Sequence, residues 1–227
     1  MTESIVEAAR AVAEPGVEVV GLTPSFGAPS CEGNMESYLA AVGVMDAVLA
    51  YEEPFDAVIQ AGFGEHGREG LQELLDQPVV DITEAAASMA TFVGRSYSVV
   101  TTLDRTVPLI EDRLRLAGLM ERCASVRASN TSVLDLERDE TAAIQSIVDE
   151  AKQAIAEDRA ETIVLGCGGM AALESAVREQ CGVPVVDGVA AAVTVAQSLV
   201  RLGLRTSKSR TYARPLPKDL KGFPLGR

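Results

Sequence analysis

Two long stretches of the chain carry the same succession of patterns. Residues 58–87 read VIQAGFGEHGREGLQELLDQPVVDITEAAA, and residues 163–193 read IVLGCGGMAALESAVREQCGVPVVDGVAAAV. Each contains a short apolar strand, a glycine-rich break, a helical stretch, the letters PVVD and an alanine-rich helix. Any two strand–helix–strand units resemble each other to some degree, but the shared PVVD argues against coincidence. The repeat predicts two similar α/β halves whose matching strand ends face each other across a cleft.

The rest of the chain continues the alternation of strands and helices. Strands are predicted at 17–22, 56–61, 78–82, 97–101, 122–128, 162–165 and 184–187, and helices at 2–14, 34–51, 68–75, 84–93, 104–117, 139–157, 171–179 and 189–202. Helices between successive strands indicate parallel sheets covered by helices on both faces. We therefore predict an α/β fold, with one domain formed by 1–94 plus 205–227 and the other by 95–204.

Composition excludes several classes of function. The formal net charge of −13 argues against a nucleic-acid partner, because phosphate contacts need a basic surface. No stretch approaches the roughly 18 apolar residues of a membrane span, and no signal-peptide pattern opens the chain, so we expect no membrane association and a cytoplasmic location. The four cysteines lack CxxC or histidine pairing, which indicates neither a zinc site nor a disulfide framework.

The end of the chain differs in charge from the rest. Residues 205–227 contain seven basic residues and one acid, Asp219. We interpret this segment as a basic arm that lies on the acidic body or on a neighbouring subunit, in preference to a nucleic-acid-binding tail.

Cys167 is the strongest candidate for chemistry. It follows a predicted buried strand and sits among Gly166, Gly168 and Gly169, at the strand end where open α/β sheets bind ligands. The start of a helix favours a thiolate, and the N–H groups of Gly168 and Gly169 are expected to hold a carboxylate or enolate oxygen. The remaining cysteines, Cys31, Cys123 and Cys181, are predicted to be structural or incidental.

Several motifs together resemble one known family. They are VLGCGGM at 164–170, GVPVVDGV at 182–189, LGLRTSK at 202–208, SVVTT at 98–102 and ERCASVRA at 121–128. These resemble the hydantoin racemase branch of the aspartate/glutamate racemase family, over nearly the whole chain. The resemblance implies two pseudo-symmetric, Rossmann-like α/β domains, an active site in the cleft between them, a small-molecule substrate, no cofactor, and assembly into a homo-oligomer.

The chain departs from the family pattern at one site residue. Racemases of this family use two cysteines, one from each half, on opposite faces of the substrate carbon. Cys167 matches the second, whereas the first is replaced by Gly62, the position that the internal repeat also aligns with Cys167. His66, which stands where the family pattern has proline, or Glu65 is a candidate replacement, since histidine exchanges protons near neutral pH.

Two other interpretations stay open. Arylmalonate decarboxylase, a relative in the same fold family, likewise pairs a glycine at this position with one cysteine, and loss of CO₂ leaves an enediolate that needs only one proton donor. Alternatively, the chain binds a ligand or is inactive. The family pattern also begins with a strand that ends in an Asn-Pro-Asn turn, whereas this sequence opens directly with the first helix. Either the native protein starts upstream of Met1, which we expect, or the first domain lacks this strand.

Position alone suggests the remaining candidates. Phe63 and Gly64 are expected to line the substrate pocket, and Thr101 and Thr102, at a strand end, either contact substrate or cap the next helix. Asp187 is expected to lie near the Cys167 turn and to cap the helix that follows it.

Overall fold

The fold contains two all-parallel sheets. The computed structural model describes residues 1–64 and 66–220. One sheet consists of β1 (Val58–Gln60) beside β2 (Val79–Asp81), and the other has the order β4 (Cys123–Ala128), β3 (Tyr97–Thr101), β5 (Thr162–Leu165), β6 (Val185–Asp187). The predicted α/β class is confirmed.

Helices separate most of these strands. They are α1 (Thr2–Val12), α2 (Asn34–Leu49), α3 (Arg68–Leu74), α4 (Ile82–Val93), α5 (Val107–Leu116), α6 (Asp135–Arg138), α7 (Glu140–Glu157), α8 (Glu174–Cys181) and α9 (Gly188–Arg201). The largest core cluster packs α4 and α9 against the strands, and a second cluster places α7 and α8 on the other face of the four-stranded sheet.

The internal repeat is visible as a symmetric pair of strand–helix junctions. Asp81 accepts the N–H of Glu84 at 2.8 Å, and Asp187 accepts the N–H of Ala190 at 2.7 Å, so each PVVD aspartate caps the helix that follows its strand. The two capped helices, α4 and α9, pack against each other. At the contact, a Cβ added to Gly188 would lie only 2.9 Å from the carbonyl oxygen of Ile82, which is why this position requires glycine.

A cluster of charged side chains, centred on the buried Arg113 and Asp81, joins α5 to α3 and to the start of α4. Arg113 of α5 is 3% exposed and contacts Asp81 at 3.0 Å, Glu84 at 3.1 Å and Glu69 at 2.5 Å. Arg68 contacts the same Asp81 at 3.1 Å and also pairs with Glu84. Burial raises the pKa of Asp81 to about 6, although the Glu84 N–H and Arg68 act in the opposite direction.

The predicted strand at 17–22 is wrong. Val17, Val20 and Leu22 are more than a third exposed, and within the described residues no strand pairs with this extended segment. A strand forms only where a neighbour completes its hydrogen bonds, and apolar composition alone does not supply one. Here the Val19 carbonyl accepts from the Arg10 guanidinium at 2.9 Å.

Two predicted helices begin differently from expectation. A 3₁₀ turn at Asp104–Thr106 precedes α5, and a 3₁₀ segment at Gly168–Leu173 precedes α8. Consecutive glycines disfavour the α-helix, so the turn after Cys167 is tighter than the predicted helix start.

The described part of the C-terminal arm lies on α3 and the loop after it. Lys208 donates to the carbonyls of Gln72 at 2.5 Å and Glu73 at 3.2 Å, and Arg214 pairs with Asp76 at 2.5 Å. A cation at a helix C-terminus meets the negative end of the helix dipole. As far as Arg214, the arm thus lies on the body of the same chain, as predicted. Residues 221–227 lie outside the described residues. The predicted domain boundaries stay a prediction.

Among the described residues, none of the helices has the length and apolar character needed to cross a membrane.

Candidate active site

The two glycine-rich breaks of the repeat contact each other. The first, at 61–64, follows β1, and the second, at 166–169, follows β5. A Cβ added to Gly168 would lie 2.7 Å from the carbonyl oxygen of Ala61, so the two backbones approach as closely as a glycine permits. The loops at the carboxyl ends of the two matching strands therefore contact each other, and the predicted cleft between them stays a prediction.

Close packing fixes the turn that carries Cys167. A Cβ on Gly166 would lie 2.9 Å from the Val100 carbonyl, and the Gly166 N–H donates to that same oxygen at 2.8 Å. Thr101 is buried, and its hydroxyl donates to the Gly166 carbonyl at 3.1 Å. Thr101 thus holds the strand end in place rather than capping the next helix.

The environment of Cys167 favours the protonated thiol. Burial raises its pKa to about 11; the Gly169 and Met170 N–H groups lower it, whereas Glu32 and Cys31 raise it. The Met170 N–H donates to the backbone carbonyl of Cys167 at 3.0 Å, which closes the turn that carries the thiol. The predicted helix start exists only as a 3₁₀ turn. Desolvation raises the pKa of Cys167 more than the backbone donors of this turn lower it.

The imidazole of His66 occupies the side-chain space of Gly62. A Cβ built on Gly62 would lie 2.2 Å from Cδ2 and 3.0 Å from Cγ of His66. Real Cβ atoms do not approach other heavy atoms so closely, so the ring fills the volume that a side chain at 62 would need. The Gln60 amide, with its nitrogen toward the Gly62 carbonyl, donates to that oxygen at 3.1 Å and accepts from the Gly62 N–H at 3.0 Å.

His66 is a buried residue with a specific polar partner. It is 7% exposed, and its Nδ1 lies 3.0 Å from Oγ of Ser37, which is itself 1% exposed. Gly64 has φ of +115°, which favours glycine, and its N–H donates to Thr83 Oγ1 at 2.8 Å. The loop is thus tied to the start of α4. Glu65, the other candidate base, lies outside the described residues.

The remaining predicted residues are distributed around these loops. Phe63 packs on the largest core cluster, and Thr102 is buried next to Thr101. Cys123 is partly buried in β4, and Cys181 ends α8. Substrate contact stays a prediction for Phe63, Gly64, Thr101, Thr102, Gly168 and Gly169.

Sequence reasoning missed three neighbours of the site. Ser37 is 29 positions from His66 in the chain, and only the fold brings the two together. Cys31 and Glu32, in the loop before α2, come near enough to raise the pKa of Cys167. Glu32 also accepts the N–H of Val133 at 2.9 Å, which ties this loop to the one after β4. The glycines and prolines of this loop predicted irregular structure, but no sequence pattern predicted that the loop would lie near Cys167.

A metal centre has no support among the residues that the structure describes. These contain no group of three or more His, Cys, Asp or Glu side chains arranged to hold a metal ion.

The chain belongs to the Asp/Glu/Hydantoin racemase family, whose model matches residues 1–196. It is 39% identical to a hydantoin racemase of Paenarthrobacter aurescens, over 96% of this chain and 94% of that protein. The allantoin racemase of Pseudomonas fluorescens is 71% identical and superposes with a TM-score of 0.96, covering 97% of this chain and 94% of that one. The allantoin racemase of Klebsiella pneumoniae is 42% identical, with a TM-score of 0.93 over 97% of this chain and 91% of its own.

Proposed function

We propose that this chain is a cofactor-independent racemase that inverts the carbon next to a carbonyl in allantoin or a related hydantoin ring. The relatives named above support the substrate class. The observation that carries the proposal for this chain is the His66 ring in the side-chain space of Gly62, on the loop that contacts the Cys167 turn. A proton-transfer group thus stands where the family pattern places its first cysteine.

Inversion needs proton removal on one face of the ring and proton return on the other. In the proposed reaction, the neutral imidazole of His66 removes the C5 proton of one enantiomer, and the electron pair moves onto the adjacent carbonyl oxygen to give a planar enolate. The thiol of Cys167 then gives its proton to the opposite face of C5. This turnover leaves imidazolium and thiolate, which is the pair that converts the other enantiomer back.

The raised pKa of Cys167 sets the expected pH dependence. Because this pKa is about 11, the thiol form prevails at neutral and mildly alkaline pH. The direction in which Cys167 acts as the acid should therefore persist into alkaline solution and fail only as the pH approaches that value. Conversion of the other enantiomer requires the Cys167 thiolate as base. Its rate is therefore expected to depend on the fraction of enzyme that holds the imidazolium–thiolate pair.

A second candidate follows from the absence of a side chain at Gly62. Decarboxylation of an aryl malonate needs one proton donor, and a protonated Cys167 would be sufficient. A binding-only role is the third candidate. Both are separate outcomes of the test below.

The test uses single enantiomers of allantoin in D₂O. Loss of optical rotation reports racemisation, and proton NMR reports deuterium at C5, both above the uncatalysed background. We expect deuterium to enter the inverted product before the unreacted substrate. Cys167→Ser and His66→Asn should each lower the rate by about 100-fold or more. Cys181→Ser, at the end of α8 outside the site, is the matched control and should leave the rate unchanged.

Other outcomes identify the alternatives. CO₂ release from phenylmalonate without racemisation would establish the decarboxylase. Ligand binding by calorimetry without either reaction would establish a binding protein. Full racemisation by His66→Asn would place the second base elsewhere.

Assembly into a homo-oligomer belongs to the same proposal. Met35 and Tyr38, neighbours at the start of α2, are 64% and 67% exposed, and this pair of large exposed side chains is the surface that we propose for a subunit contact. Analytical ultracentrifugation measures the subunit number.

A further inference from the structure

Ser37 and His66 form a buried polar contact between α2 and the first glycine-rich loop. Ser37 lies in the first turn of α2, and its N–H donates to the Gly33 carbonyl at 3.0 Å, so the backbone at this position is fixed. Its Oγ lies 3.0 Å from Nδ1 of His66. Both side chains are more than nine-tenths buried, and a hydroxyl at such a depth is retained only where it has hydrogen-bonding partners.

The contact determines which ring nitrogen is presented to the site. Cδ2 of His66 points into the side-chain space of Gly62, and Nε2 is the nitrogen bonded to Cδ2. Nδ1 is on the other side of the ring, against Ser37. The nitrogen on the Gly62 side of the ring is therefore Nε2.

We infer that Ser37 is a positioning residue, which holds His66 so that Nε2 exchanges the substrate proton. This inference rests on the proposed role of His66 as the second acid/base. A hydroxyl suits the task because it both donates and accepts. It donates to Nδ1 when the neutral ring carries its proton on Nε2, and it accepts from Nδ1–H when Nε2 is unprotonated or when the ring is charged. The contact thus persists while Nε2 gains or loses a proton, as a reversible racemase requires.

The chain offers a direct spectroscopic test, because His66 is its only histidine. In untagged, ¹⁵N-labelled protein, the imidazole nitrogen shifts report the tautomer and the titration of this one ring without any turnover. His66→Asn removes the signals and confirms the assignment. We compare the full chain with Ser37→Ala, with Ser37→Thr, which keeps a hydroxyl, and with Ser198→Ala as the control. Ser198 donates only to its own helix, at Thr194.

Ser37→Ala should change the tautomer populations and shift the titration of the ring. It should also lower kcat for racemisation by roughly tenfold, the equivalent of one lost buried hydrogen bond, with KM within about twofold. Ser37→Thr should bring both the histidine tautomer populations and kcat most of the way back to the parent values. Ser198→Ala should match the parent in both.

Two results separate this inference from the proposed function. If nitrogen shifts, titration and the pH profile of Ser37→Ala all match the parent, Ser37 does not position the ring and the inference is wrong. If the parent shows no racemisation but Ser37→Ala still changes the tautomer, the proposed function is wrong, whereas the positioning of His66 by Ser37 stands.

Discussion

Position 62 has room for a side chain only if the His66 ring moves. The Cβ of a cysteine there would overlap Cδ2 of the ring and lie 2.6 Å from the Gln60 amide. The family pattern, with cysteine at this position and proline at the position of His66, is therefore sterically self-consistent, and so is the pair Gly62 and His66. A cysteine at 62 together with the histidine ring in its present position is not.

This exclusion predicts the outcome of restoring the cysteine. Gly62→Cys alone should lower the unfolding temperature and fail to raise racemisation, because the thiol and the imidazole compete for one volume. Gly62→Cys combined with His66→Pro should recover stability and racemise through two thiols. Thermal unfolding and polarimetry measure both effects. Gly62→Ala, which adds the same Cβ without a thiol, is the control. A Gly62→Cys variant as stable as the parent, with the histidine NMR signals unchanged, would contradict the overlap.

At the scale of elements, the contact between the two glycine-rich breaks is the feature on which the site depends. Gly168 faces the Ala61 backbone carbonyl at 2.7 Å, whereas Gly169 in the same turn faces the end of the Leu136 side chain at 3.2 Å. A flexible side chain can move aside, but a backbone carbonyl in a packed loop cannot do so cheaply.

Adding a methyl group at these two glycines should therefore have unequal effects. Gly168→Ala is expected to push the Cys167 turn away from the loop of Gly62 and His66 and to lower kcat by about 100-fold, since misplacement of about 1 Å has that effect. Gly169→Ala should cost less, because Leu136 can change rotamer. Steady-state racemisation kinetics show which of the two variants loses more activity, and circular dichroism verifies that both are folded. Equal losses in the two variants would show that the approach to Ala61 does not matter.

At this scale, the sequence predicts local patterns but not the contacts that depend on the tertiary fold. The repeat predicted the paired halves, and PVVD predicted each strand, because these are local patterns; capping was predicted for Asp187, and the structure adds the equivalent cap by Asp81. The segment at 17–22 has strand composition, but strand formation needs a partner, which is a tertiary property. The fold-back of His66 onto Gly62 depends on φ values of +115° at Gly64 and +91° at Gly67, and the arrival of Ser37 depends on where α2 packs.

For the molecule as a whole, the charged cluster around Arg113 joins the helix after β3 to the first repeat. Arg113 belongs to the element after β3, whereas Asp81, Glu84 and Glu69 belong to the first repeat. Removing Arg113 leaves the buried Asp81 carboxylate with Arg68 at 3.1 Å but without one of its two cations, and breaking such a buried group costs more than the intact pair contributes.

Arg113→Met should lower the free energy of unfolding by about 3 kcal/mol, measured by urea titration. Arg115→Met is the matched control. Arg115 is exposed on the same helix and, among the described residues, pairs only with Glu111 and Asp112 of that helix, so this substitution should not change the free energy of unfolding measurably. The deficit of Arg113→Met should also depend on pH. The folded-state pKa of Asp81 is raised to about 6 from 3.8, so ionising Asp81 destabilises the fold as the pH rises through this range.

Without Arg113 this pKa should rise further, since a nearby cation favours the carboxylate. The penalty then continues to grow above pH 6, and the difference between variant and parent should be larger at pH 8 than at pH 5. A deficit that is the same at both values would mean that Arg113 acts through packing of its aliphatic stem and not through the charge of Asp81. Asp81→Asn separates the two effects, because the double variant with Arg113→Met should then lose its pH dependence while keeping any loss that is due to packing.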